Sequence, residues 1–141
     1  MRNLKAIEKE INKLISYFSN KHYIIASYIF GSFGTEHKKE SSDIDFAVLY
    51  SQDITLKEEI TLEVKISEIF KRDDIDIVNL NKAPINLQHS IIYTGDLLYC
   101  SDPIKLSDFK EKVFKNYGDY GITLKFFYDD YLKGVMGNVH W

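Results

Sequence analysis

GSFGTEHKKESSDIDFAVLY, residues 31–50, closes one apolar run with a Gly-Ser pair and opens the next with two carboxylates, Asp43 and Asp45. The run before it, Tyr23 to Phe30 (YIIASYIF), is rich in β-branched and aromatic residues and stops at Gly31, so it reads as a buried strand. Asp43 to Tyr50 (DIDFAVLY) reads as a second strand, and the polar residues 34–42 connect the two. A strand points alternate side chains to opposite faces, so Asp43 and Asp45 share a face, with Cα atoms roughly 6.6–7 Å apart. Two carboxylates that close repel one another, and a shared divalent cation is the simplest remedy. Aspartates at strand ends are commonly turn residues or solvated caps, so the pair needs support from the rest of the chain.

That support comes from Asp74 to Leu80 (DIDIVNL), a third predicted strand, which sets Asp76 between Ile75 and Ile77. If this strand neighbours the second, Asp43, Asp45 and Asp76 converge at the sheet's end. Such a set suits two magnesium ions clamping the attacking and leaving oxygens of a phosphoryl displacement. Asp74 shares the face of Asp76 but has no apolar residue before it, which makes it the weaker candidate. Gly31 lets the backbone approach a phosphate closely, and the Ser32 hydroxyl and adjacent amides are donors to its oxygens.

Working outward, Leu4, Ile7, Ile11, Leu14, Ile15 and Phe18 recur at helical spacing, with Asn3 as the expected cap and Ser19-Asn20 as the stop. Thr55 to Lys71 carries a conflict: Leu62, Val64 and Ile66 alternate like a strand, whereas Thr55 and Glu58 form a capping-box pattern and the length favours a helix. Pro84 opens a further helix to about Tyr93, Gly95 ends it, and Leu97 to Cys100 is a short strand. From about residue 103 to 135, Phe109, Val113, Tyr117, Tyr120, Leu124, Phe127 and Tyr131 mark an aromatic-rich helical segment. Ser107 is its expected N-cap, and Gly118 and Gly121 predict a kink or a break. The fold class is therefore α/β (α+β), a small mixed sheet flanked by helices in a single domain over 1–141.

Composition agrees. The 141 residues are 45% hydrophobic and 28% charged, with a net charge of −3, so direct nucleic-acid coating is not expected. The one cysteine, Cys100, lies in an apolar run and excludes an intrachain disulfide or a cysteine-built metal site. His22, His37, His89 and His140 stand apart with no ligand spacing. The charged N-terminus lacks a signal-peptide core and no apolar stretch is long enough to span a bilayer, so a cytoplasmic protein without a membrane partner is expected.

Gly31-Ser32, then Ser42-Asp43-Ile44-Asp45, then Asp76 resembles the signature of the polymerase-β-like nucleotidyltransferases, in particular the minimal bacterial branch that includes the MntA-type antitoxins of HEPN–MNT toxin–antitoxin pairs. The motif covers about a third of the chain, and the short strand and aromatic C-terminal helix extend the likeness loosely to nearly full length. The resemblance implies two Mg²⁺ ions on Asp43 and Asp45, with Asp76 on the catalytic ion and assisting deprotonation of the attacking hydroxyl. Gly31, Ser32 and Ser42 would serve the ATP side. It further implies transfer of AMP to a tyrosine of a partner HEPN ribonuclease toxin. Transfer to a small molecule such as an aminoglycoside, or masking of a toxin without catalysis, are the other readings. The loop departs from the family pattern: where many relatives hold a small residue, a basic residue and glycine, this chain holds Gly34, Thr35 and Glu36. Lys38, Lys39 and His37 lie on the same connection, and Tyr117, Tyr120 and Tyr128 are aromatic candidates for stacking on a base.

Overall fold

A computed structural model describes residues 2–35 and 43–136, with side chains described through residue 119. A single 3-10 turn, Lys5–Ile7, leads into α1, Glu8–Ser19, and then β1, Ile24–Phe30, β2, Ile44–Tyr50, α2, Leu56–Phe70, and β3, Ile75–Asn79. The chain continues through α3, Ile85–Thr94, and β4, Asp96–Cys100, into α4, Pro103–Met136.

The four strands form one sheet in the order β3-β2-β1-β4. β1 is antiparallel to both β2 and β4, whereas β2 and β3 are parallel and joined by α2 as the crossover. This is the mixed sheet that the strand patterns predict. Ile44, Phe46 and Val48 of β2 and Ile75 of β3 point to one face and pack with Leu14 and Phe18 of α1 and Leu62, Ile66 and Phe70 of α2. Ala47 and Leu49 point to the other, with Ile91 of α3 and Leu106 of α4. By the same alternation, Asp45 and Asp76 lie on the α3/α4 face.

The segment with the conflicting pattern is a helix. Thr55 and Glu58 make the reciprocal capping box, Leu62 and Ile66 are buried, and Val64 is left on the outer surface. Tertiary burial at four-residue spacing outweighs the local alternation. Gly95 ends α3 as expected, but with extended backbone rather than the left-handed turn that glycine often supplies there. The C-terminal helix departs from expectation in two ways. It begins at Pro103, close to the expected start, but its cap is Asp102, which accepts the Lys105 N–H at 3.1 Å, and not Ser107. It also runs through Gly118 and Gly121 as one element. Each glycine costs only about 1 kcal/mol against alanine, too little to divide a helix of this length. Asn3 contributes to the N-terminal cap by accepting the Lys5 N–H at 3.1 Å, one residue further out than a standard cap. Among the described residues, no helix is long and apolar enough to cross a membrane.

Candidate active site

Asp43, Asp45, Asp74 and Asp76 lie at one end of the sheet. β1 runs into that end and stops at Phe30, while β2 and β3, parallel to each other, start from it. Phe30 is the register partner of Asp45 across the β1–β2 ladder, and Asp45 is the partner of Asp76 across the β2–β3 ladder. In-register neighbours on adjacent strands sit about 4.8 Å apart and project to the same face. Asp43 precedes the first residue of β2 and is exposed, Asp45 is half-buried, and Asp76 is exposed. Proximity is thus imposed by hydrogen-bonded backbone and not by side-chain attraction, since three anions have no reason of their own to meet.

The electrostatics carry the mark of that imposition. Loss of water around its half-buried carboxyl pushes Asp45 above the ordinary carboxylate range, and the charges of Asp76 and Asp43 push it further. Arg2 acts in the opposite sense. Among the described residues no three His, Cys, Asp or Glu side chains are grouped to hold a metal ion as they stand. The donor set nonetheless suits a hard divalent cation: all-oxygen carboxylate ligands, held in register by two strands, around an Asp45 whose ionised form is raised in energy until a positive charge offsets it. Asp43, Asp45 and Asp76 are the residues that would hold such an ion.

Asp74 is committed elsewhere. Its two carboxylate oxygens accept from Nε and Nη2 of Arg72, which holds its pKa below the usual range. The guanidinium of Arg72 also lies over the Phe33 ring at 5.6 Å from its centroid. The weaker candidate of the sequence reading is therefore an ion-pair partner at the edge of the site.

The Gly-Ser loop sits directly against the carboxylates. Gly31 has φ +79°, and a Cβ on it would come inside 3.0 Å of Asp45 Oδ2, closer than side-chain carbons approach. Ser32 is half-buried, and its carbonyl accepts both the Thr35 N–H at 3.0 Å and the Thr35 hydroxyl at 2.6 Å, closing a tight turn. Gly34 also has positive φ, +77°, and a Cβ there would meet the Asn3 carbonyl at 2.6 Å. A tight turn with two glycines at positive φ is a backbone of the kind that can present amides to a phosphate. Ser42, Glu36, His37, Lys38 and Lys39 lie outside the described residues.

Sequence reasoning missed Arg2. Its buried guanidinium donates from Nη1 to the carbonyls of Gly31 at 2.9 Å and Phe33 at 2.6 Å, and from Nε to Asp96 at 2.7 Å. No local pattern signals a partner 94 positions away. Only the placement of β4 beside β1, with Ile29 in register with Asp96, brings the three together. Tyr117, a candidate for base stacking, lies against the His89 ring instead, with centroids 3.7 Å apart.

Residues 12–104 match the family model of the polymerase beta nucleotidyltransferases. A Methanocaldococcus jannaschii protein designated a protein adenylyltransferase is 33% identical over 69 residues, spanning 49% of this chain and 70% of that protein. Among solved structures, one chain of a toxin–antitoxin complex with AMP-PNP is 25% identical at a TM-score of 0.70, covering 89% of this chain and 98% of its own. A chain from the complex of a tri-AMPylated Shewanella oneidensis HEPN toxin with an MNT antitoxin shares the fold at a TM-score of 0.68 and 23% identity, covering 89% and 98%.

Proposed function

The chain belongs to the polymerase beta nucleotidyltransferase family, and we propose that it is an antitoxin protein adenylyltransferase, moving AMP from ATP to a tyrosine hydroxyl of a cognate HEPN ribonuclease toxin and so silencing it. The observation that carries this reading is the register pairing of Asp45 with Asp76, with Asp43 two residues before Asp45 and the Gly31 loop packed against its carboxylate.

Asp43, Asp45 and Asp76 would hold two magnesium ions, whose chemistry is to neutralise the charge that gathers on the attacking and leaving oxygens. Gly31 and Ser32 hold the triphosphate through backbone amides and the hydroxyl. Asp76, at the exposed edge of the carboxylate row, takes the proton of the incoming hydroxyl. The tyrosine oxygen bonds to the α-phosphorus, the bridging bond to the β-phosphate breaks, and pyrophosphate leaves with the electron pair. The relatives support the choice of acceptor: one is designated a protein adenylyltransferase, and a structural neighbour is a complex whose HEPN toxin carries AMP.

Incubating the protein with ATP, Mg²⁺ and the product of the adjacent gene, then weighing that product, tests the reading. A gain of one or more adenylyl groups on tyrosine is expected. An unmodified partner beside a modified aminoglycoside would replace this reading with small-molecule transfer.

A further inference from the structure

The loop that faces Asp45 is built from residues with much conformational freedom to lose. It contains two residues at positive φ, Gly31 and Gly34, and glycine is the residue with the most conformations to lose. Within the loop, the Thr35 N–H and hydroxyl both donate to the Ser32 carbonyl. What holds it from outside is the N-terminal segment. Arg2 Nη1 bridges the Gly31 and Phe33 carbonyls, and the Asn3 N–H donates to the Gly34 carbonyl at 2.7 Å. Gly34 has no room for a side chain because Asn3 lies against it.

A planar trans peptide sets its N–H opposite its C=O, and none of the described peptides is cis. Fixing the Gly31 carbonyl on Arg2 therefore directs the Ser32 N–H away from Arg2, and fixing the Phe33 carbonyl does the same for the Gly34 N–H. One guanidinium thus orients two alternate amides of the loop in a common direction. Arg2 itself is anchored: its side chain is 6% exposed, and Asp96, at the start of β4, holds its Nε. A fork of fixed donors can do this, whereas the single point charge of lysine cannot engage both carbonyls and the carboxylate in one plane.

We propose that Arg2, braced by Asp96, is the positioning residue of the nucleotide loop, holding the Ser32 and Gly34 amides in the orientation that receives the triphosphate. The inference rests on the nucleotidyl-transfer reading above. In this chain the basic group that supports the loop comes from the N-terminal segment, whereas the loop itself carries Gly34-Thr35-Glu36.

The test compares the full-length protein, tagged at its C-terminus, with Arg2→Lys and Asp96→Asn, both of which keep most of the side-chain volume. Hydrogen exchange of residues 31–35 is followed without nucleotide, and KM for ATP, kcat and Tm are measured on each. Both variants are expected to exchange about tenfold faster across the loop and to raise KM for ATP by about tenfold or more, the size of losing charge-assisted hydrogen bonds, with kcat little changed. Wild-type exchange and wild-type KM in both variants would overturn the proposal. So would a lowered kcat at unchanged KM, which reports a smaller folded fraction. If the wild-type protein transfers no AMP at all, the transfer reading falls alone, and loop exchange still decides whether Arg2 sets the loop.

Discussion

Gly31 and Asp45 are packed so closely that the glycine's missing side chain is what gives the carboxylate its place: a Cβ at residue 31 would collide with Oδ2, and the backbone there is at φ +79°. Gly31→Ala meets both obstacles. Left-handed backbone costs a residue with a side chain roughly 1–3 kcal/mol, and the methyl also displaces the Asp45 side chain. The expected outcome is a Tm lowered by several degrees together with loss of most nucleotidyl transfer. Circular dichroism melts and a radiolabelled ATP assay check it.

Asp45→Asn separates activity from stability. Asp45 is pushed up by desolvation and by Asp76 and Asp43, so its ionised form destabilises the metal-free fold. The folded pKa lies above the unfolded one, so stability is greatest below the ordinary aspartate range and is lost as pH rises through the raised value. Replacing the carboxylate with the neutral amide removes that loss. Metal-free Asp45→Asn should melt above the wild type at neutral pH, and the difference should vanish as pH falls below the ordinary aspartate range. Transfer by the same variant should drop at least about a hundredfold, since several kcal/mol of charge stabilisation depend on the ligand.

The double substitution Asp43→Asn with Asp45→Asn distinguishes catalysis from masking. Binding to the toxin should persist, because asparagine keeps the shape of each side chain, while AMP transfer and neutralisation in cells disappear. A growth-rescue assay beside a pull-down reads both. Full neutralisation by the double variant would make masking the better account.

Asn81 gives a contrast at the opposite end of the sheet. Its side chain exchanges two hydrogen bonds with the Tyr50 backbone, accepting the N–H and donating to the carbonyl, each at 2.8 Å. It thereby completes the ladder of β2 where β3 has ended. Asn81→Ala forfeits both and should cost about 2 kcal/mol in urea unfolding. The folded fraction should retain wild-type KM for ATP.

Most of the sheet was legible because the relevant signals are local. Apolar residues flank Asp45 and Asp76, so their places in strands followed from alternation, whereas the pairing of the two strands was a condition that the β2–β3 register meets. Gly31 before a polar connection was legible for the same reason. What escaped depends on contacts between distant segments. Nothing around Arg2 distinguishes it from a solvated basic residue, and its role appears only when β4 places Asp96 beside the loop. Asp74 read as a possible ligand because strand parity is blind to Arg72, which claims it from two positions earlier. At α4, Ser107 was a reasonable cap by residue type, but Asp102 and Pro103 start the helix a turn sooner, and the glycine pair lacked the free energy to break it.

The 94-residue span between Arg2 and Asp96 also has a temporal meaning. During synthesis the arginine leaves the ribosome long before its carboxylate brace exists, and closing so long a loop is among the slowest contacts a fold of this size makes. Asp43, Asp45 and Asp76 all precede Asp96 in the chain, so they emerge while the Gly31 loop is still unbraced. On the role proposed for Arg2, a product ending before β4 would own its acidic cluster yet lack the Asp96 brace and remain a poor consumer of ATP.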